Sequence, residues 1–495
     1  MKTIFFRAKK YFSKDKNITE FLYNFHTASS LSFKKFKLLE EYSIDKIKVR
    51  IVSTAEARYY LIDEPFLNKE EEKELYKMIL DTKITLVEPD IKNEKIKYYY
   101  KREVKGFGAI DVPVKDPEIE DIYAAPGRVC VRHRKYGVLI TNIVLKDVEC
   151  KALVQRLIRK AGWSITIGDS LKRMPLEGMR LDVTIGELNE VSVKYYATIR
   201  KFPQNPYSAA HLIANGTMNE WVFAYLATLV LNKRTGLIIG PVGSGKTTLL
   251  WSLIGVIPLE KIVLIQEVPE IRLPSLWPLE ELGPYRPGIS SDVVIPIHRI
   301  IEDTLRGKSP GYIILGEIHQ EEGYAWAQLG RTKKGTLATF HADDPKAAIL
   351  ALTSRPISIP KPLLFAALDF MVVMKNIRTC NTVKRLVSEI YVLEKDGKTL
   401  LKIVEAVDAG RAWRIVPISK IAHLLDPYQL PDTPEKVYLA FARLARYAID
   451  KGFIVYEKFT RLLWRYYANP KIVGRKLRVI KLLPPTVAEV QQLAA

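Results

Sequence analysis

A phosphate-binding pattern stands out in the middle of the chain. Eight consecutive residues match GxxxxGK followed by Ser or Thr in full: Gly240, Pro241, Val242, Gly243, Ser244, Gly245, Lys246 and Thr247. A short apolar run precedes the pattern, and a helical run opening at Thr248 follows it. Glycines allow backbone N–H groups to turn towards phosphate oxygens, and the N-terminus of a helix adds partial positive charge. We therefore expect residues 240–248 to bind ATP, with Lys246 on the β- and γ-phosphates and the Thr247 hydroxyl on Mg²⁺. The alternative is a simple glycine-rich turn before a helix.

Three further polar groups stand at the ends of apolar, strand-like runs. Glu317 follows the run 312–315, and such a carboxylate beside a phosphate-loop strand holds Mg²⁺ or its water. Glu267 and Glu270 follow the run 262–266, where a glutamate could serve as the base for an attacking water. His341 follows the run 336–340. Each of these has a structural alternative, namely a capping acid or a hydrogen-bonded histidine at the end of a strand.

These residues require a fold that brings strand ends together. Short apolar runs alternate with helical stretches from residue 219 onward, which predicts an α/β domain built on a mostly parallel sheet. Residues 105–127 are rich in Pro and Gly and predict a domain edge, and the Pro-containing segment at 203–206 predicts another. The resulting division is 1–110, 120–205 (α+β), a linker at 206–218, the nucleotide-binding domain at 219–425 and a helical, basic extension at 426–495.

Composition narrows the class of protein. The 495 residues carry 76 Lys and Arg against 55 Asp and Glu, a net charge of +21. Residues 1–50 and 435–482 carry +7 and +9 of this charge, which suits an anionic surface or partner. Three scattered cysteines offer neither a disulfide framework nor a zinc site, as in a reducing cytosol. The run at residues 221–231, apolar except for Thr228, is too short to cross a bilayer, so secreted and integral membrane classes are disfavoured.

In their order and spacing, these motifs resemble those of the secretion ATPase superfamily, the hexameric motors of type II and type IV secretion, type IV pili and archaeal surface filaments. In that family the phosphate loop is followed by an Asp-rich box, a strand ending in Gly-Glu and a T-x-H-A box, which here are Gln266–Glu270, Gly316-Glu317 and Thr339–Ala342. The uninterrupted loop and the T-F-H-A form resemble the archaeal pilus-assembly subgroup. The resemblance implies a RecA-like ATPase domain behind an α+β domain, and covers residues 125–425 best.

The resemblance also implies roles for individual residues. Glu270 would orient or deprotonate the attacking water, Glu317 would help to hold Mg²⁺, and His341 would contact the γ-phosphate. Arg180 and Arg200 would reach bound nucleotide from the N-terminal domain and stabilise charge in phosphoryl transfer. For these two arginines, a surface position or an ion pair between domains is the competing interpretation. Hydrolysis would release the phosphate that joins the two domains, and the domains would then move.

The implied partners are further copies of the chain in a hexamer, a polytopic membrane platform protein and, indirectly, pilin-like subunits. The implied location is the cytoplasm, peripheral to the inner face of the membrane, with the basic ends facing that surface. No direct contact with nucleic acid is expected. Rotation of an archaellum, nucleic-acid translocation and a non-hydrolysing regulatory subunit are the competing functions, of which the intact loop and Glu270 argue against the last.

The sequence departs from the family pattern at three places. His319 stands where the family usually has an arginine two residues after the Gly-Glu acid, and Gln266-Glu267 replaces the usual Glu-Asp pair. The run 333–336 is Lys-Lys-Gly-Thr in place of Gly-His-Gly-Gly. The contacts between subunits are affected most, and the missing arginine's role would pass to Arg331 or His319.

Overall fold

A computed structural model of the chain describes residues 36–85, 89–162, 171–189, 192–202, 206–267, 269–283, 297–319, 322–332, 334–378, 383–482, 486–487 and 491–494. The chain divides into two compact units, Met1–Phe202 and Pro203–Ala495. The finer division predicted from the sequence stays a prediction.

The first unit is built on one nine-stranded sheet. Its strands are β1 (Lys37–Ile44), β2 (Ile47–Ser53), β3 (Arg58–Asp63), β4 (Ile119–Ala124), β5 (Cys130–His133), β6 (Gly137–Thr141), β7 (Leu171–Leu176), β8 (Met179–Asn189) and β9 (Ser192–Lys201). They lie in the order β1-β2-β3-β6-β5-β4-β9-β8-β7, and every pair is antiparallel except β3 with β6. Strands from before and after residues 105–127 therefore share this sheet.

Among the described residues of this unit, four α-helices accompany the sheet: α1 (Lys69–Thr85), α2 (Glu94–Val104), α3 (Asp111–Lys115) and α4 (Asp147–Lys160). The apolar face of α4, with Leu153, Val154 and Leu157, is buried in the same core as strand residues such as Ile199. The segment 105–127 contains α3 and β4 and buries Val112, Ile119 and Ile122. Pro113 lies within the first turn of α3, a position that tolerates proline, so a proline-rich composition alone does not distinguish this segment from a linker.

The second unit contains a larger sheet whose central part is parallel, as predicted. Its strands are β10 (Gly236–Ile239), β11 (Ile262–Ile265), β12 (Leu279–Leu282), β13 (Tyr312–Leu315), β14 (Thr336–Phe340), β15 (Phe370–Arg378), β16 (Val383–Leu393), β17 (Thr399–Val407), β18 (Ala412–Ile415), β19 (Thr486–Val487) and β20 (Gln491–Ala494). The order is β12-β11-β13-β14-β10-β15-β16-β17-β18-β19, with β20 on β17. From β12 to β15 all pairs are parallel, and β15 to β18 continue antiparallel.

Helices cover both faces of this sheet, which is the α/β arrangement predicted from the sequence. They are α5 (Ala209–Ala214), α6 (Glu220–Leu231), α7 (Lys246–Ile254), α8 (Ile297–Gly307), α9 (Glu322–Gly330), α10 (Pro345–Thr353), α11 (Lys361–Ala367), α12 (Pro434–Asp450), α13 (Tyr456–Ala468) and α14 (Pro470–Leu477). The core on one face includes residues of α5, α6, α7 and α12, and the core on the other includes residues of α9, α10 and α11. Every residue from Trp221 to Leu231 is buried, which explains the long apolar run. In the part of the chain that the structure describes, no helix is long and apolar enough to cross a membrane.

The C-terminal extension packs on this second unit. Phe441 contacts Phe223 of α6, with ring centroids 6.1 Å apart, and Trp464 Nε1 donates to the Ile257 carbonyl at 2.8 Å. The predicted helical stretch 435–467 is two helices, because the chain turns at Gly452, whose φ of 68° is unfavourable for other residues.

Candidate nucleotide-hydrolysis site

The phosphate loop lies between β10 and α7. Its glycines are required by geometry at two points. A Cβ on Gly240 would lie 2.4 Å from the carbonyl oxygen of Met374, and Gly245 adopts a φ of 92° directly before the helix. Strand, loop and helix thus occur in the order that the motif requires, and α7 directs its N-terminus at the loop.

The side chain of Lys246 folds back over this loop. Its Nζ donates to the carbonyl oxygens of Gly240, at 2.8 Å, and Pro241, at 3.0 Å. The Ser244 hydroxyl is fully buried and has no hydrogen-bond partner among the described residues. A buried ammonium group, an unpartnered buried hydroxyl and a helix N-terminus suit a bound phosphate group, so these residues fit ATP.

His341 connects the loop to Glu317. Its Nδ1 lies 3.1 Å from Lys246 Nζ, and its Nε2 lies 2.6 Å from Glu317 Oε1. The strand order explains this bridge. β13, which precedes Glu317, is not beside β10 as expected from the sequence, because β14 lies between them and places His341 at the intervening strand end.

The carboxyl group of Glu317 is held in its ionised form. Burial by itself raises its pKa. The hydrogen bond from His341 and the electrostatic influence of His319 and Lys246 outweigh burial and hold the pKa of Glu317 below its ordinary value. An ionised carboxylate and the Thr247 hydroxyl are oxygen donors of the kind that Mg²⁺ takes when phosphate and water supply the remaining ligands.

The contacts continue across the next strand end. His319 Nε2 lies 3.7 Å from Glu317 Oε2 and 3.6 Å from Glu267 Oε2. His319 therefore lies between two acids. Arg331 is the other candidate for the missing arginine's role, and it is exposed beyond the end of α9. Glu270 is half-buried three residues after Glu267. Lys333 lies outside the described residues.

Arg180 and Arg200 belong to the first unit and oppose each other on β8 and β9. Arg200 Nε donates to Asp121 Oδ1 at 3.0 Å, and Arg132 Nε lies 2.9 Å from Asp121 Oδ2. Arg180 Nε donates to Asp182 Oδ2 at 3.0 Å. Since like charges across a strand pair repel, the aspartates stabilise this row of arginines.

Sequence reasoning missed two residues. Arg385, at the start of β16, donates from Nε to the carbonyl of Gly243 in the phosphate loop at 2.9 Å. Gln266, noted only as a departure from the family pattern, is buried and bonds to the backbone of Ile271. The first contact spans 142 residues and leaves no local signal. The second contact does leave a local signal, because a single amide residue, Gln266, stands five positions before the apolar Ile271.

Comparisons with known proteins place this site in a family. The model of the family described as "Type II/IV secretion system protein" matches residues 122–416. The uncharacterized protein MJ0900 of Methanocaldococcus jannaschii is 27% identical over 407 residues, which are 78% of this chain and 72% of that protein. Protein VirB11 of Rhizobium radiobacter is 30% identical over 173 residues, 32% of this chain and 48% of VirB11.

Two solved structures are also similar. The VirB11 ATPase of the Brucella suis type IV secretion system, in complex with sulphate, shares 19% identity with a TM-score of 0.30, and covers 65% of this chain and 96% of its own. The Legionella pneumophila ATPase DotB shares 16% identity with a TM-score of 0.40, and covers 71% of this chain and 92% of its own. The family model spans more than half of the chain, including every strand end described above. This chain belongs to the type II/IV secretion system protein family and is an ATPase.

Proposed function

We propose that this ATPase is a hexameric cytoplasmic motor that hydrolyses ATP to drive assembly of a type IV pilus-like surface filament through a polytopic membrane platform protein. The observation that carries the proposal is the row of contacts from Lys246 through His341 to Glu317, inside a chain of the secretion family. A motor needs its phosphate site coupled to other strand ends, and this row extends over three adjacent strands.

Each residue in the site has a proposed task. The phosphate loop, residues 240–248, binds the phosphates, with Lys246 as the main cation. Thr247 and Glu317 hold Mg²⁺, which when bound neutralises charge on the β- and γ-phosphates. Glu270 orients or deprotonates the attacking water, with Glu267 as the other candidate. His341 contacts the γ-phosphate and reports its loss to Glu317.

Arg180 and Arg200 are proposed to stabilise negative charge on the nucleotide during phosphoryl transfer. The row of Arg132, Asp121, Arg200 and Arg180 across four adjacent strands, with Asp182 paired to Arg180, supports an anion-binding role. An arginine that already pairs with an aspartate is held in a fixed orientation, so it loses little freedom when it meets a phosphate.

The proposed membrane partners are inferred from the positive charge of the C-terminal helices. Eight exposed cations of α13, α14 and the residues just after them form no ion pair among the described residues: Lys458, Arg461, Arg465, Lys471, Arg475, Lys476, Arg478 and Lys481. We call these eight residues the C-terminal basic face. It would contact anionic lipid headgroups or acidic loops of the platform protein, and pilin-like subunits would be moved indirectly. The N-terminal basic residues Lys34 and Lys35 lie outside the described residues.

The proposal is tested with purified protein and in cells. With a non-hydrolysable ATP analogue, light scattering should show a hexamer, and a chain that stays monomeric with and without the analogue would contradict the motor. Cells carrying Lys246→Ala should lack one class of surface filament, and the chain should co-purify with a polytopic membrane protein. Loss of swimming with pili retained would favour the archaellum, and normal filaments with impaired DNA transfer would favour a translocase.

A further inference from the structure

Gln266 stands where three strand ends meet. It follows β11, its backbone N–H donates to Leu282 of β12 at 3.0 Å, and a Cβ on Gly316, which follows β13, would lie 3.1 Å from its own Cβ. The side chain is only 5% exposed. A displacement of the end of β11, β12 or β13 can therefore be passed to the other two strand ends through Gln266.

The amide of Gln266 closes a loop. Its Nε2 donates to the Ile271 carbonyl at 2.9 Å, and its Oε1 accepts from the Ile271 N–H at 3.0 Å. The same Nε2 donates to Glu281 Oε1 at 2.7 Å. Ile271 is fully buried, so these two backbone groups have no access to water as an alternative partner.

Glu267 and Glu270, which we call the acid segment, lie between Gln266 and Ile271 in the sequence, and both are candidates for the base. Glu267 lies within 3.6 Å of His319, and His319 contacts Glu317 in turn. We propose that Gln266 is a positioning residue for the acid segment: its two bonds to Ile271 fix where Glu267 and Glu270 stand relative to the phosphate loop. Only an amide side chain both donates and accepts here, and an ionised glutamate would do only the second.

This inference deepens the assignment of the hydrolysis site and rests on ATP turnover, not on the filament role. Gln266→Met keeps the side-chain length and removes all three hydrogen bonds of the amide, the two to Ile271 and the one to Glu281. We expect kcat to fall about tenfold or more, because a small misplacement of a reacting group is costly, while the Kd for an ATP analogue stays within about twofold. A fall in kcat of less than about twofold, or an equal loss of affinity, would overturn the proposal.

Asn232 provides a matched control. It is 1% exposed and makes the same paired contact, donating to the Asp426 carbonyl at 3.0 Å and accepting from the Asp426 N–H at 2.9 Å. It precedes β10, at the strand end opposite the phosphate loop. Asn232→Leu should lower the thermal midpoint about as much as Gln266→Met without the loss of kcat. Equal losses of kcat in both variants would show a merely structural role.

A double-mutant cycle separates positioning from general damage. Gln266→Met is combined with Glu267→Gln and, separately, with Glu270→Gln. If Gln266 acts through these acids, its effect on kcat should shrink to less than about threefold in at least one background. Full effect in both backgrounds would mean that Gln266 does not act through the acid segment. Wild-type turnover in the same assay reports on the ATPase assignment independently.

Discussion

The Nζ of Lys246 and the Nδ1 of His341 are 3.1 Å apart. Because an ammonium group can only donate, Nδ1 accepts this hydrogen bond, and the ring hydrogen is then on Nε2, which lies 2.6 Å from Glu317 Oε1. Lys246, proposed to bind phosphate, is thus joined through one histidine to Glu317, the acid proposed to hold Mg²⁺. These side-chain contacts offer a direct route between the two proposed roles.

Lys246→Ala should abolish ATP hydrolysis and sharply weaken nucleotide binding. The variant loses the cation that the structure places on the loop carbonyls, and we expect kcat to fall about 100-fold or more. A coupled phosphate-release assay and a fluorescent nucleotide titration measure both quantities. Lys346→Ala, which removes an exposed lysine of α10, is the control. Normal turnover in Lys246→Ala would contradict the assigned site.

His341→Ala should separate turnover from binding. The lysine and the loop remain, so nucleotide affinity should change little, whereas the link to Glu317 is lost and kcat should fall about tenfold or more. Steady-state kinetics with an independent Kd measurement gives the two effects. Equal loss of affinity and kcat would show that His341 serves ground-state binding only.

The sequence alone predicts those parts of the site whose contacts join residues close together along the chain. The loop and the strands β10, β11, β13 and β14 were predicted from local motifs and periodicity. The position of β14 between β10 and β13 was not, because strand order depends on pairings between distant segments. The spacing of motifs along the sequence therefore could not predict the bridge through His341 or the contact of Arg385 with Gly243.

Glu270→Gln should bind Mg-ATP nearly as well as the wild type and turn it over about 100-fold more slowly, since loss of a base affects the chemical step. Glu267→Gln is the comparison, because the structure places Glu267 beside His319. Single-turnover kinetics with both variants identifies the base. If Glu270→Gln stays within about threefold of wild type and Glu267→Gln does not, Glu267 takes the role.

The buried Lys201 should make stability depend on pH. Burial lowers the pKa of Lys201 to about 8, and its Nζ donates to the Asp116 carbonyl at 2.5 Å. Between pH 8 and the ordinary lysine range, the unfolded chain holds a proton that the folded chain has released, so this residue adds stability as pH rises. Below pH 8 Lys201 is protonated in both the folded and the unfolded chain, so the free-energy cost of burying its charge no longer changes with pH.

The measurement compares wild type with Lys201→Met by chemical denaturation from pH 7 to pH 10. The free energy of unfolding of the wild type should rise relative to that of the variant across this range. Lys92→Met, at an exposed lysine of the same unit, should show no such trend. A pH-independent difference between wild type and Lys201→Met would contradict the lowered pKa.

The C-terminal basic face should attach the ATPase to an anionic membrane without affecting catalysis. Ile472 and Val479, 59% and 80% exposed, lie among its cations, so the face offers both charge and apolar area to a bilayer surface. A basic residue near an anionic surface contributes about 1 kcal/mol, and this contribution weakens as salt shortens the Debye length, to about 8 Å at 0.15 M.

Reversal of charge at Lys471, Arg475 and Arg478 together tests this attachment. We expect unchanged ATPase activity in solution and reduced co-sedimentation with vesicles that contain phosphatidylglycerol, at low salt above all. Reversal at Lys346, Lys395 and Lys398, three exposed lysines elsewhere on the same unit, is the matched control and should leave co-sedimentation near wild type. If the first variant loses binding only to membranes that contain the platform protein, acidic loops of that protein are the partner. If it sediments like the wild type on both membranes, the cations of this face serve solubility alone, because charge reversal at a true contact cannot leave binding to an anionic surface intact.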